Sequence, residues 1–200
     1  MPSIRRVHTT GPVCGRAPII RFCLSTLPAA LVAAAVCAAT RADERQAYES
    51  AVASLAAGHR DATVMAAYKT LEAAGIKAFP VLIAHVTDTA KAAPGHFEEA
   101  RIDEFGNIER PTVGDVCYRL VRHEVEGDWP KGFRDNQVLT KNNVTRWWET
   151  HRTNSLHEMR LETARISLAR AKKDFEKNKT ETAEAAVRFL SERLQRLERE

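Results

Sequence analysis

No aspartate or glutamate occurs before residue 43, although the chain holds 26 acidic residues in 200. That asymmetry divides the molecule before any other pattern does. A basic stretch ends at Arg21, an uncharged run follows from Phe22 to Thr40, and small residues come next. This is the tripartite plan of a secretory signal peptide. Cleavage after Ala38 or Ala42 suits the small-residue rule, with Ala42 preferred. Three other readings of residues 1–42 stay open. Left uncleaved, the run reaches the length of a membrane anchor, although Pro28 and its alanine-rich, weakly apolar content oppose that use. Cys37 as a lipidated cysteine is opposed by Val36, which stands where a small residue is wanted. An acid-free, arginine-bearing leader also fits an organellar transit peptide. The expectation is an exported protein, periplasmic or extracellular, with no stable membrane span once 1–42 is removed; the alternative is a membrane-anchored one.

The division changes what the composition means. Arg5, Arg6, Arg16, Arg21 and Arg41 lie in the leader, which leaves 25 of the 30 basic residues against all 26 acidic ones. The formal charge of +4 becomes −1, so the basic balance belongs to the leader and no nucleic-acid partner is implied. Of the four cysteines only Cys117 lies beyond the leader, so no internal disulfide is expected there and packing must hold the core. About 158 residues suffice, since chains of that size bury roughly 70% of their unfolded surface.

Residues 43–200 read as one α-helical domain. Tyr48, Val52 and Leu55 recur at helical spacing before Gly58. Val64, Tyr68 and Leu71 do so between Asp61, a candidate cap, and Gly75. Ala78–Asp88 is apolar nearly all round, with Pro80 in the first turn where its missing N–H costs nothing. Residues 89–111 lose the periodicity and read as a long acidic loop with a short hairpin around Phe105-Gly106-Asn107. Thr112 and Asp115 suggest a capping box for a helix burying Val116, Leu120 and either Cys117 or Val121, stopped by Gly127. A turn-rich connector and a short helix with Val144, Trp147 and Trp148 follow. Residues 155–200 then form long C-terminal helices. Ser155 and Glu158 cap the first, with a stripe of Leu161, Ala164, Leu168, Ala171 and Phe175. Asn178 and Glu181 cap the second, with Val187, Leu190, Leu194 and Leu197 in a heptad-like row. That row is either one face of a helical hairpin or a homodimer contact.

The stretch Gly75-Ile76-Lys77-Ala78-Phe79-Pro80-Val81-Leu82-Ile83-Ala84-His85-Val86-Thr87-Asp88 resembles the signature of a HEAT repeat, with its glycine turn, early proline, apolar run and closing aspartate. Thr112–Val121 resembles a second copy without the proline, at a HEAT-type period. The resemblance covers about a third of the chain. It implies HEAT-like helix pairs and a role in protein binding on a helical surface.

Complete catalytic sets are not found. No Gly-x-Ser-x-Gly occurs. Gly127 and Gly132 have the glycine spacing of a phosphate-binding loop, but Phe133 and Arg134 stand where Lys and Ser/Thr are needed. His157-Glu158 opens like a zinc-protease helix, yet Leu161 replaces the second histidine. His85 and Asp88 share a helix face, two ligands where a metal site needs more. Cys117 and His123 lie about 240° apart around one helix. The acidic loop fits no calcium-binding spacing. No metal or other cofactor is expected.

One constellation stands out. Trp129, Trp147 and Trp148 fall within a short span that also holds Lys131, Phe133, Arg134 and Arg146. Adjacent helical residues point about 100° apart, so Trp147 and Trp148 cannot both face one core. Either one packs inward and the other lies under the connector, or Trp129, Lys131, Phe133, Arg134, Trp147 and Trp148 form a binding surface. The functional expectation is a non-enzymatic interaction module of the cell envelope with a protein partner. The alternative is an envelope hydrolase or glycan-binding protein using dispersed carboxylates and the tryptophans.

Overall fold

Seven α-helices follow one another in the computed structural model, which describes residues 29–93, 101–102 and 108–200, and the fold is all-α. They are α1 (Ala29–Ala53), α2 (Asp61–Ala74), α3 (Phe79–Ala84), α4 (Val113–Glu126), α5 (Val144–His151), α6 (Leu156–Asn178) and α7 (Glu181–Leu197). The chain divides into two units, Met1–Ala38 and Ala39–Glu200, and everything below concerns the second. No helix among the described residues is long and apolar enough to cross a membrane.

Local sequence accounts for four helix ends. Gly75 (φ 54°) and Gly127 (φ 64°) close α2 and α4 in conformations that a Cβ would strain. Both expected capping boxes form. Thr112 Oγ1 accepts from Asp115 N at 3.1 Å while Asp115 Oδ2 accepts from Thr112 N at 2.8 Å. Ser155 and Glu158 exchange the same two bonds at 3.2 and 2.7 Å.

Elsewhere the ends differ from expectation. The first helix stops at Ala53 and not at Gly58, because Leu55 to Ala57 turn into a bridge with residues 91–93. Asp61 is the first helical residue and not the cap; Arg60 is the cap, and the carboxylate favours the helix N-terminus by charge instead. Within Ala78–Asp88 only the six residues of α3 are α-helical, and a 3₁₀ turn (Gly75–Ala78) leads into them. The chain leaves α3 at His85, whose Nε2 lies 2.8 Å from Glu49 Oε2 of α1. The last helix is capped by Thr180, whose Oγ1 accepts from Ala183 N at 3.2 Å, and not by Asn178. Asn178 ends α6, and Lys179 turns the chain in a left-handed conformation at φ 51°.

The hairpin in the acidic loop is present: β1 (Arg101–Ile102) pairs antiparallel with β2 (Ile108–Glu109). The tip of that loop, including Phe105, Gly106, Asn107 and the acidic Glu98, Glu99, Asp103 and Glu104, lies outside the described residues.

Two apolar clusters hold the helices together. The larger joins the end of α1 (Val52) and the turn after it (Leu55), α2 (Val64, Leu71), α3 (Phe79, Leu82), α4 and the start of α6 (Met159). In α4 Val116, Leu120, Cys117 and Val121 are all buried, so the two alternatives for the inward face are both used. The smaller cluster lies between α6 and α7, with Leu168, Ala171, Ala186 and Leu190. The buried face of α6 also includes Thr163 and Ser167, so it is rotated from the expected apolar stripe. Thr163 can be buried because its hydroxyl bonds back to Met159 O at 3.0 Å.

An extended segment laces the larger cluster together. Ala57 N and Ala93 N exchange bonds with Lys91 O and Leu55 O (2.7 and 3.0 Å), and Ala92 N and Val113 N with Pro111 O and Ala90 O (2.9 and 2.7 Å). Gly114 N then donates to Asp88 O at 3.1 Å. The approach is so close that a Cβ on Gly114 would lie 2.3 Å from Val86 O and 2.7 Å from Asp88 O, both backbone atoms. Gly114→Ala is therefore expected to destabilise the fold by about 2 kcal/mol or more in urea unfolding, because backbone must shift. Gly132→Ala, whose Cβ would make an ordinary 3.9 Å contact with Thr182, is expected to stay within roughly 0.5 kcal/mol of the parent.

Candidate binding cleft

The outer face of α4 carries Asp115, Tyr118, Arg119 and Arg122, spaced three, one and three residues apart and so on one side of the helix. Facing them is an irregular segment, Gln137 to Asn142. Between the two lies a cleft of about 550 Å³, with Arg110, Pro111 and Thr112 at one end. Its lining therefore holds three arginines, Lys141 and a single carboxylate.

The far wall has no regular secondary structure, so side chains satisfy its backbone. Glu126 Oε1 accepts from Val138 N at 2.6 Å and from Leu139 N at 3.0 Å. Tyr118 Oη donates to Leu139 O at 2.7 Å, Asn143 Nδ2 to Val138 O at 2.9 Å and Arg170 Nη1 to Gln137 O at 2.6 Å. Val138 and Leu139 are thereby held inward, and Thr140, Lys141 and Asn142 are set along the cleft.

Glu126 is 1% exposed. Burial pushes its carboxyl above the ordinary value, opposed by the two backbone N–H groups and by the Arg122 and Arg193 guanidinium charges. Burial likewise lowers Arg193, which the Glu126 charge offsets, and Arg193 donates to Val125 O at 3.3 Å. On the cleft side, Arg122 lies over the Tyr118 ring at 5.7 Å and reaches Gln137 Oε1 at 3.4 Å. Arg122 Nε and Gln137 Nε2 have no acceptor among the described residues.

Lys141 Nζ meets Asp115 Oδ1 at 2.7 Å across the cleft. Burial raises the Asp115 carboxyl, but the Lys141 ammonium and the Thr112 N–H and hydroxyl outweigh it and hold it down at about 2.

The tryptophan constellation is divided between two places. Trp148 packs edge-on against Phe79 of α3 at 5.6 Å, and Trp147 stacks on His151 at 4.6 Å; both border the larger core. Trp129 and Phe133 instead pack on Phe189 of α7, at 6.2 and 5.6 Å. Lys131 and Arg134 lie in the 3₁₀ turn Lys131–Asn136 that follows Trp129. The connector thus covers the C-terminal hairpin and not Trp147 or Trp148. In the C-terminal row Leu190 and Leu197 are buried within the single chain, Val187 and Leu194 pack beside them, and α6 is the neighbour.

Other candidates are engaged structurally. Cys117 is fully enclosed, and burial drives its thiol up to about 12, away from nucleophilic use. His123 pairs with exposed Asp128 at 3.2 Å. His85 lies closer to Glu49 (2.8 Å) than to Asp88 (3.6 Å).

In the sequence the cleft residues lie beside the stronger signal of the apolar stripe of α4. The complementary stripe Asp115, Tyr118, Arg119, Arg122 was legible at the same periodicity. The far wall had no such signal, since it is defined by long-range bonds. The chain matches no family model, and it is significantly similar to no curated protein and no solved structure.

Two outcomes follow. Asp115→Asn is expected to cost of the order of 1 kcal/mol near neutral pH, the worth of a cap. A carboxyl lowered on folding stabilises above its unfolded value and loses that contribution as pH falls toward the folded one. The parent should therefore lose stability as pH drops from about 4 to about 2, and the variant should show a flatter profile in chemical denaturation across that window. Trp148→Ala is expected to cost about 3 kcal/mol by thermal or urea unfolding, since it removes the ring packed on Phe79.

Proposed function

We propose that this chain is a non-enzymatic, exported helical interaction module of the cell envelope, with the α4 cleft as its contact surface for a protein partner. The cleft carries the reading: its lining combines guanidinium groups with a tyrosine ring on a rigid helix, a composition typical of interface anchors. The acid-free leader of residues 1–42 supports export. The resemblance of Gly75–Asp88 to a HEAT repeat supports binding on a helical surface. The placement of Cys117, His123 and His85 in packing or ion pairs favours binding over catalysis.

The test is affinity capture from an envelope extract with the full chain immobilised, beside Arg110→Glu and Arg122→Gln copies whose folding is checked by circular dichroism. A saturable protein partner, weakened by both substitutions, is the expected result. Hydrolysis of cell-wall material by the chain, abolished by one polar substitution, would instead make it an enzyme. Capture undiminished by either substitution would move the contact surface away from the cleft.

A further inference from the structure

The geometry points to an acidic peptide segment of the partner as the occupant of the α4 cleft, its carboxylates taken by Arg122 and Arg110. This rests on the cleft being the working surface, as proposed above, and adds the chemistry that it recognises.

Charge complementarity comes first. Four cationic side chains line the cleft against one carboxylate, and that carboxylate, Asp115, is bound to Lys141 and to Thr112. The remaining cations are arginines, whose planar fork suits carboxylate and phosphate oxygens.

The choice between those two groups follows from the start of α4. A phosphate at a helix N-terminus is normally held by the first backbone N–H groups. Here they are already taken. Val113 N donates to Ala90 O, Gly114 N to Asp88 O, Asp115 N to Thr112 Oγ1 and Val116 N to Thr112 O. Asp115 adds a fixed negative charge on the same face, which opposes a compact dianion more than separated single charges. What remains is recognition by side chains, which favours carboxylates spread along a peptide.

Arg122 is the anchor that the structure prepares. Its guanidinium rests over Tyr118 and reaches Gln137 through Nη1, while its Nε is enclosed and has no acceptor among the described residues. Gln137 Nε2 is enclosed in the same way. Tyr118 and Gln137 are themselves tied by Leu139 O and by Arg170, so the anchor is held before any ligand arrives. The cleft volume, about 550 Å³, accommodates a few side chains of an extended segment, and Pro111 offers an apolar contact for their methylenes.

Fluorescence anisotropy of labelled hexaglutamate with the full chain tests this. Saturable binding that weakens as salt rises is expected, reduced roughly tenfold or more by Arg122→Gln. The exposed-rim variant Arg110→Glu should weaken it too, which keeps the test valid if Arg122→Gln melts early. Arg188→Gln, on the exposed side of α7, should change it less than about twofold. Absence of saturable binding overturns the assignment, as does an equal loss with Arg188→Gln, or displacement by short-chain polyphosphate at lower concentration than by unlabelled hexaglutamate. Failure here beside an envelope partner that depends on Arg122 leaves the interaction module standing and removes only the ligand class. Failure of both removes the module as well.

Discussion

A buried carboxylate oxygen takes both backbone N–H groups at the centre of the irregular wall of this domain, beside the carbonyl contacts of Tyr118, Asn143 and Arg170. Glu126 Oε1 receives the backbone N–H groups of Val138 and Leu139, and nothing in regular secondary structure would otherwise do so. Ionising Glu126 in that setting is costly, and the Arg122 and Arg193 charges offset part of the cost. Because Arg193 comes from α7 and Arg170 from α6, the same wall also ties α4 to the C-terminal hairpin. Cleft shape and hairpin packing are thus two aspects of one polar network.

The parts of the fold that were legible in the sequence are those fixed by neighbours in the chain. The capping pairs Thr112/Asp115 and Ser155/Glu158, the stops at Gly75 and Gly127, and the hairpin between Arg101 and Glu109 all rest on contacts a few residues long. Helix ends set by distant partners carry no such local signal. Ala53 ends α1 because residues 91–93 pair with the turn that follows, and α3 is short because its exit serves Glu49 and Gly114. The rotated face of α6 has the same origin: Thr163 looks polar in sequence, but it satisfies its own hydroxyl on the preceding turn.

The candidate site was half legible for the same reason. One wall is a helix, and its polar stripe has a period that can be counted. The other wall depends chiefly on bonds spanning twelve to thirty-three residues, with Asn143 to Val138 O a short-range exception. The tryptophans are close in sequence but divided in space. Gly127 and the 3₁₀ turn send Trp129 and Phe133 to α7, while α5 carries Trp147 and Trp148 back to the larger core.

Cys117 gives this domain a built-in gauge of its own opening. The thiol is sealed at 0% exposure among α4 core residues, and burial keeps it protonated. An oxidant or alkylating reagent can reach it only when the surrounding helices part, so its rate of modification measures how often the larger core opens. Glu126, Gly114 and Trp148 lie in the network and core around the same helix. The gauge therefore registers damage to any of them without an added label.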